Sequence, residues 1–171
     1  MPEYLDLVNE QDEVVGRLPR SKCIERGLLH RAVVVFIFNS RNQLYIQKRA
    51  DDAAFYPGFW SASVLGHVSS GETYHEAAIR ETREELGLLI DVKEIGDFLS
   101  PKWKCKDGTD WEIIHVFEAT VGEPKITLSD ESQDGKFVSV REFGAIAATR
   151  PRVLTPDTVL AMKFSHRLAE R

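Results

Sequence analysis

Three glutamates, Glu81, Glu84 and Glu85, stand at i, i+3 and i+4 inside a stretch that otherwise carries every mark of a helix. Thr73 followed three residues later by Glu76 is a capping-box pattern. Ala77, Ala78, Ile79 and Leu86 supply helix formers and apolar contacts, and Gly87 stands where a C′ glycine belongs. On a helix this spacing brings all three carboxylates to one side, within roughly 100°. Like charges so placed oppose the helix by about 0.2–0.5 kcal/mol each, and the last turn of a helix prefers cations. Arg80 and Arg83 offset part of that cost. A solvated charged face accounts for such a pattern in isolation, but three carboxylates converging at an unfavourable helix end are what a hard divalent cation requires.

Strand-like runs flank this helix. Tyr4 to Val8 and Glu13 to Arg17 are short β-type runs separated by Asn9-Glu10-Gln11-Asp12, a hairpin signature. Arg31 to Phe38 is dense in Val, Ile and Phe and reads as a buried central strand. Gln43 to Arg49 is a second strand, Phe59 to Val64 a short third, and Gly66 to Gly71 a Gly-bounded loop. Further strands are expected at Val92 to Leu99, Asp110 to Thr120 and Lys136 to Val140, with helices at Arg141 to Thr149 and Asp157 to Ala169. No repeat or Ser/Pro-rich linker interrupts them, so one domain over 1–171 is expected, with an N-terminal hairpin extension over about 1–28. The order predicts an α/β (α+β) architecture, a mixed β-sheet sandwiched between α-helices.

Charge limits the partners. The 22 Lys and Arg against 27 Asp and Glu leave a formal net charge of −5. That speaks against a general nucleic-acid binder, which needs a basic face for phosphates. A small phosphorylated substrate fits only if something cationic brings it to the acidic helix. No run approaches the roughly 20 apolar residues of a membrane span, and Met1 to Asp6 lacks the basic and apolar regions of a signal peptide. Cys23 and Cys105 lie far apart with no metal-type spacing, so a reduced cytoplasmic chain is expected.

From Gly66 the sequence runs Gly-x5-Glu72-x7-Arg80-Glu81-Thr82-Arg83-Glu84-Glu85-Leu86-Gly87-Leu88. A chance match at these positions would occur in on the order of one in ten million chains. The stretch 66–88 resembles the Nudix box, the loop–helix–loop signature of the Nudix hydrolases. Thr82 departs from it, at a packing position where the family usually has an aliphatic residue. The resemblance implies the Nudix fold, with Mg²⁺ or Mn²⁺ as cofactor. It implies Glu81, Glu84 and Glu85 as metal ligands with the Gly66 carbonyl beside them, and Glu85 or Glu81 as the general base acting on water. Arg80 would hold one glutamate in its rotamer and Glu72 would pair with Arg80, both as structural support. The charge logic agrees, since an acidic helix repels a diphosphate until divalent ions lie between them.

A second likeness covers most of the chain. Leu29-His30-Arg31-Ala32-Val33, Gln47-Lys48-Arg49, Tyr56-Pro57-Gly58-Phe59-Trp60 and Gly66-His67-Val68 look like the branch related to isopentenyl-diphosphate isomerase. In that isomerase, histidines at the places of His30 and His67 help hold a metal, with acids from a later strand. Here Asp110 and Glu112 fall at i, i+2 on one face of the expected strand. The resemblance thus makes His30, His67 and Asp110 candidates for a second metal, and Glu112 for a ligand outside the box. Cys23 lies close to where that branch has another histidine, a set that would favour zinc; a small residue in a loop or short helix is the plainer reading. His115 and His166 are read as structural and His75 as a surface helix position.

Three departures separate the chain from the isomerase. Leu65 stands where its catalytic cysteine lies, and the loop Asp51-Asp52-Ala53-Ala54 lacks its basic residues. An approximate alignment puts Arg152 at the place of a C-terminal tryptophan able to stabilise a carbocation. The intact box favours hydrolysis of a diphosphate linkage in a nucleotide or nucleotide-derived substrate, with isomerisation and a non-catalytic nucleotide-binding domain as alternatives. Arg49 and Trp103 are the candidate substrate contacts, with Trp103 or Phe55 able to stack on a base. Pro101 to Thr109 is expected to be a polar loop that could swing over the substrate. The N-terminal hairpin could cover its own sheet or pair with a second copy in a homodimer.

Overall fold

The computed structural model describes residues 2–169; Met1, Glu170 and Arg171, and with them the ends of the expected 1–171 domain, lie outside the described residues. Tyr4–Val8 (β1) and Val14–Pro19 (β2) form the N-terminal hairpin, followed by a helix, Arg20–Arg26 (α1). His30–Phe38 (β3) is the strand on which the rest is built. Ala32, Val34, Phe36 and Phe38 face one core and Val33, Val35 and Ile37 the other, the two-residue alternation of a strand buried on both sides. Gln43–Arg49 (β4), Trp60–Ser61 (β5) and Val64–His67 (β6) follow, then the helix Tyr74–Leu86 (α2). After it come Lys93–Leu99 (β7), Trp103–Cys105 (β8), Gly108–Asp110 (β9), Glu112–Thr120 (β10) and Ser132–Ser139 (β11). Val140–Thr149 (α3), Pro156–Ala161 (α4) and His166–Ala169 (α5) end the described chain.

The main sheet runs β11–β4–β3–β1–β2, with β6 antiparallel to β3 and β10 parallel to it. The register sets Glu112 opposite His30 and His67 opposite Ala32. On one face α2 packs Ala77, Ala78 and Leu86 against Val33, Val35 and Phe117. On the other, Phe143, Leu154 and Leu168 from the C-terminal segment pack against Val34 and Phe36. The sheet is therefore mixed and sandwiched between helices, as the element order predicts. Among the described residues no helix is long and apolar enough to cross a membrane.

The capping box on α2 forms in full: the Thr73 side chain accepts from the Glu76 N–H, and the Thr73 N–H donates to the Glu76 carboxylate at 2.9 Å. Gly87 ends the helix in a left-handed conformation at φ 70°. The structure differs from the sequence expectations at five places. Of the loop or short helix read around Cys23 the structure has the helix, α1, whose bounds no apolar period announces because only Cys23 and Ile24 of its seven residues are buried. The strand expected at Phe59 to Val64 is split at Ser63, whose hydroxyl accepts from the Ile37 N–H (2.8 Å) and donates to the Tyr45 carbonyl (2.6 Å). The second piece, β6, takes in Gly66 and His67, which were expected in a loop. Pro101 to Thr109 is not a loop but holds the β8–β9 hairpin, so Asp110 and Glu112 sit on different strands rather than one. The helix expected at Asp157 to Ala169 breaks at Ser165, whose hydroxyl donates to Glu118 (2.9 Å). Phe164 there lies over Gly96, where any Cβ would collide with its ring.

Candidate active site

Gly66 and His67 are consecutive on β6, so they address opposite sides of the strand. At Gly66 an added Cβ would run into the Glu81 carboxyl, so glycine lets that side chain lie against the strand backbone. Arg80 organises the acids around it. Its Nε and Nη2 donate to the two oxygens of Glu72 (2.8 and 2.9 Å), and Nη1 donates to Glu81 (2.7 Å) and Glu84 (3.1 Å). Nη2 also donates to the His67 carbonyl at 2.9 Å, locking helix, loop and β6 together. Glu85 is buried, accepting from Gln47 Nε2 (2.7 Å) and from the Leu65 N–H (3.3 Å). Burial pushes the Glu81 carboxyl up to about 7, with Arg80 pulling the other way. Burial, with Glu81 adding, holds Glu85 well above the usual carboxylate range.

On the other side of β6, His30, His67, Asp110 and Glu112 bring one donor atom each within 4.8 Å of the others. His30 Nε2 lies 3.2 Å from Asp110 Oδ1 and 3.7 Å from Glu112 Oε1, and His67 Nε2 lies 3.4 Å from Glu112 Oε1. The His30 Nδ1 meets the Leu28 carbonyl at 2.8 Å. A carbonyl only accepts, so Nδ1 carries a proton and Nε2 is the ring nitrogen turned toward the carboxylates. Both Nε2 atoms and Asp110 Oδ1 are buried with no hydrogen-bond partner. Burial, with Arg20 and His30 adding, pushes the His67 imidazole well below its usual range. Burial likewise raises Glu112, with Asp110 adding. Two imidazole nitrogens and two carboxylates converging in a buried corner are a donor set that suits a divalent cation.

Both sets line one cavity of about 380 Å³. Glu81, Glu84, Gly66, His67, Asp110 and Glu112 reach its wall, and so do the expected substrate contacts Arg49, Phe55 and Trp103. Arg49 Nε donates to the Phe55 carbonyl (2.8 Å), and Trp103 Nε1 donates to Asp157 Oδ1 (2.9 Å). Burial pushes Asp157 up to about 6 against that hydrogen bond. Arg20, Tyr56, Glu131 and Asp157 also line the cavity and were not picked out from the sequence. Asp157 follows Pro156 at the start of α4 and so reads as an ordinary acidic first turn; nothing local marks it. Arg152 is exposed on the turn before α4, and the residues of this segment that meet the cavity are Thr155 and Asp157, an acid where a cation was aligned nearby. Cys23 is buried with Sγ toward the Leu18 carbonyl and takes no part in the four-residue cluster. His115 stacks on Tyr74 and pairs with Glu94, His75 pairs with Asp91, and His166 is exposed.

Residues 28–157 match the family model of the NUDIX domain. The chain belongs to the Nudix family. Along most of its length this Nudix chain is similar to an uncharacterized Nudix hydrolase of Pseudomonas aeruginosa, 33% identical over 163 residues that cover 95% of this chain and 92% of the relative. It is also similar to isopentenyl-diphosphate Delta-isomerase 2 of Photorhabdus laumondii, 31% identical over 155 residues, 91% of this chain and 88% of the relative. Among solved structures, the crystal structure of DR0079 from Deinococcus radiodurans superposes with a TM-score of 0.71 at 26% identity, covering 96% of this chain and all of that one. Hydrolase and isomerase relatives are about equally near, so the reaction of this Nudix protein has to be argued from its site.

Proposed function

We propose that this protein is a divalent-metal-dependent pyrophosphohydrolase of one domain that cleaves a diphosphate linkage in a nucleotide or nucleotide-derived substrate. The observation that carries the reading is the convergence on one cavity of Glu81 and Glu84 from the box and of His67, Asp110 and Glu112 from the histidine–carboxylate cluster, with Glu85 and His30 buried behind them. Glu81, Glu84, Glu85 and the Gly66 carbonyl would hold Mg²⁺ or Mn²⁺, and His30, His67, Asp110 and Glu112 a second ion. When bound, such ions neutralise phosphate oxygens, lower the pKa of water and stabilise charge in the transition state. Glu81, which faces the cavity, or Glu85 behind it would take the proton of the attacking water. The water oxygen bonds to phosphorus in line, and the bridging P–O bond breaks with its electron pair leaving on the departing phosphate. Glu85, with an oxygen on Gln47 and the other on the Leu65 N–H, is held still as a ligand. Arg49 and Arg20 on the wall offer charge-assisted hydrogen bonds to the diphosphate.

Leu65 on the same wall neither gives nor takes a proton, which favours hydrolysis over isomerisation. A reduced cytoplasmic setting is supported by two free cysteines. The net charge of −5 supports small phosphorylated partners over nucleic acid. Strand β2 lies at the edge of the sheet, open to a second copy in a homodimer.

Phosphate release tested across nucleoside di- and triphosphates, dinucleotides and nucleotide sugars, with Mg²⁺ or Mn²⁺, examines the reading. Metal-dependent turnover should fall by about 10²–10⁴-fold in Glu85→Gln with the melting temperature kept. A silent panel, or a fully active variant, overturns it.

A further inference from the structure

The end of the cavity away from the glutamate helix is built from groups that the hydrolysis does not use. Asp157 on α4 meets Trp103 on β8, the indole N–H donating at 2.9 Å, and both line the cavity. That bond takes one lone pair of a carboxylate that has about four to offer. Beside them Tyr56 holds a left-handed backbone, φ 48°, in a residue with a bulky side chain and a proline next in the chain. Such conformations persist where surrounding structure enforces them, and they cluster at ligand contacts. Burial, with Asp157 and Asp110 adding, pushes the Tyr56 phenol up to about 12, so it stays a neutral hydroxyl near these acids. Trp103 is also the cross-strand partner of Asp110 in the β8–β9 hairpin. The same small ribbon therefore carries the aromatic wall at one position and a member of the histidine–carboxylate cluster directly opposite.

An anion at this end is useless to the diphosphate and hostile to a hydrocarbon. A carboxylate accepts hydrogen bonds and donates none, so it gains only from a ligand that brings donors. From this we infer that Asp157, oriented by Trp103, is the specificity residue that reads the part of the substrate beyond the diphosphate. It selects a group carrying hydrogen-bond donors, such as the hydroxyls of a sugar or the N–H edge of a base, stacked against Trp103 and Tyr56. The inference rests on the diphosphate-cleaving reading of the same cavity and deepens it. Hydrocarbon diphosphates are disfavoured for the same reason, because they would cover the acceptor positions that Trp103 leaves open and bring no donor to them; sites built to hydrogen-bond a substrate reject analogues lacking the donor by up to about 10⁴-fold.

Asp157→Asn tests it, since the amide oxygen still accepts from Trp103 while an NH₂ replaces the acceptor left for the substrate. In the full chain with Mg²⁺, KM for the best nucleotide substrate should rise at least about tenfold with kcat within about threefold, the mark of lost ground-state and transition-state binding alike. Affinity for inorganic pyrophosphate, measured by calorimetry, should not change. Dideoxyribose and inosine analogues separate the two donor sources: loss of affinity with the first points to the sugar, with the second against guanosine to the base. An unchanged KM in the variant, or wild-type turnover of an alkyl diphosphate equal to that of nucleotides, overturns the inference. If no substrate is cleaved, the hydrolase reading fails by itself. Calorimetry then decides the inference, which stands if the wild type prefers ADP or GDP to pyrophosphate and Asp157→Asn loses the preference, and falls if neither protein discriminates.

Discussion

The two acid sets flank the same strand yet are compensated in opposite ways. On the helix side, Arg80 donates to Glu72, Glu81 and Glu84, so much of the charge is matched within the protein. On the strand side, two imidazole nitrogens and a carboxylate oxygen are buried without a partner. On the proposed reading, the arginine-wired set would tolerate losing its ion and could exchange it with each substrate. The strand-side set, one ring of which is fixed by the Leu28 carbonyl, would gain more from keeping one. The difference would then separate an exchangeable site from a resident one.

The sharpest way to break that contrast is at Gly66. Gly66→Ala would push Glu81 off the strand, and turnover should drop by about 10²-fold, as small misplacements of reacting groups commonly do; the histidine–carboxylate cluster should keep its metal. Undiminished kcat would show that Glu81 needs no seat on β6. A smaller effect is expected from His67→Ala, which should weaken one class of divalent-ion site at least about tenfold in calorimetric titration and leave the other intact. Equal stoichiometry and affinity in that variant would remove the resident site. The smallest effect is on stability without metal. Glutamates in the unfolded chain lose their protons near 4.5, while Glu81 keeps its proton to about 7, so in that window the native state binds more protons and stability falls as pH rises. Glu85 and Glu112 act in the same direction; His67, shifted below 6.5, opposes them only beneath that pH. The melting temperature of chelator-treated protein should drop by a few degrees between pH 5 and pH 7.5, and divalent ions should cancel the drop. A flat profile in chelator would contradict the buried, raised carboxylates.

The helix side was legible in the sequence because its geometry is local: i, i+3 and i+4 place Glu81, Glu84 and Glu85, and the cap residues bound the helix. The strand side was not legible from spacing. His30, His67, Asp110 and Glu112 meet through the pairing of β3 with β6 and β10, and through a hairpin that looked like a polar loop. Only the family resemblance pointed to them. Arg20 and Asp157 lay beyond both routes, since the helix α1 has no apolar period and Asp157 resembles any acidic first-turn residue. The contact of Glu81 with Gly66 shows a third kind of information, an absent side chain whose meaning appears only when the neighbouring helix is in place.

The parallel pairing of β3 with β10, His30 opposite Glu112, also has a consequence in time. The two strands are separated by α2 and several other strands, so the chain must close a long loop, at an entropic cost, before they can meet. The histidine–carboxylate cluster cannot exist until β10 has docked. An ion held there, on the proposed reading, would bind only after that docking, so it would act on the return journey, holding the finished protein together and slowing its unfolding.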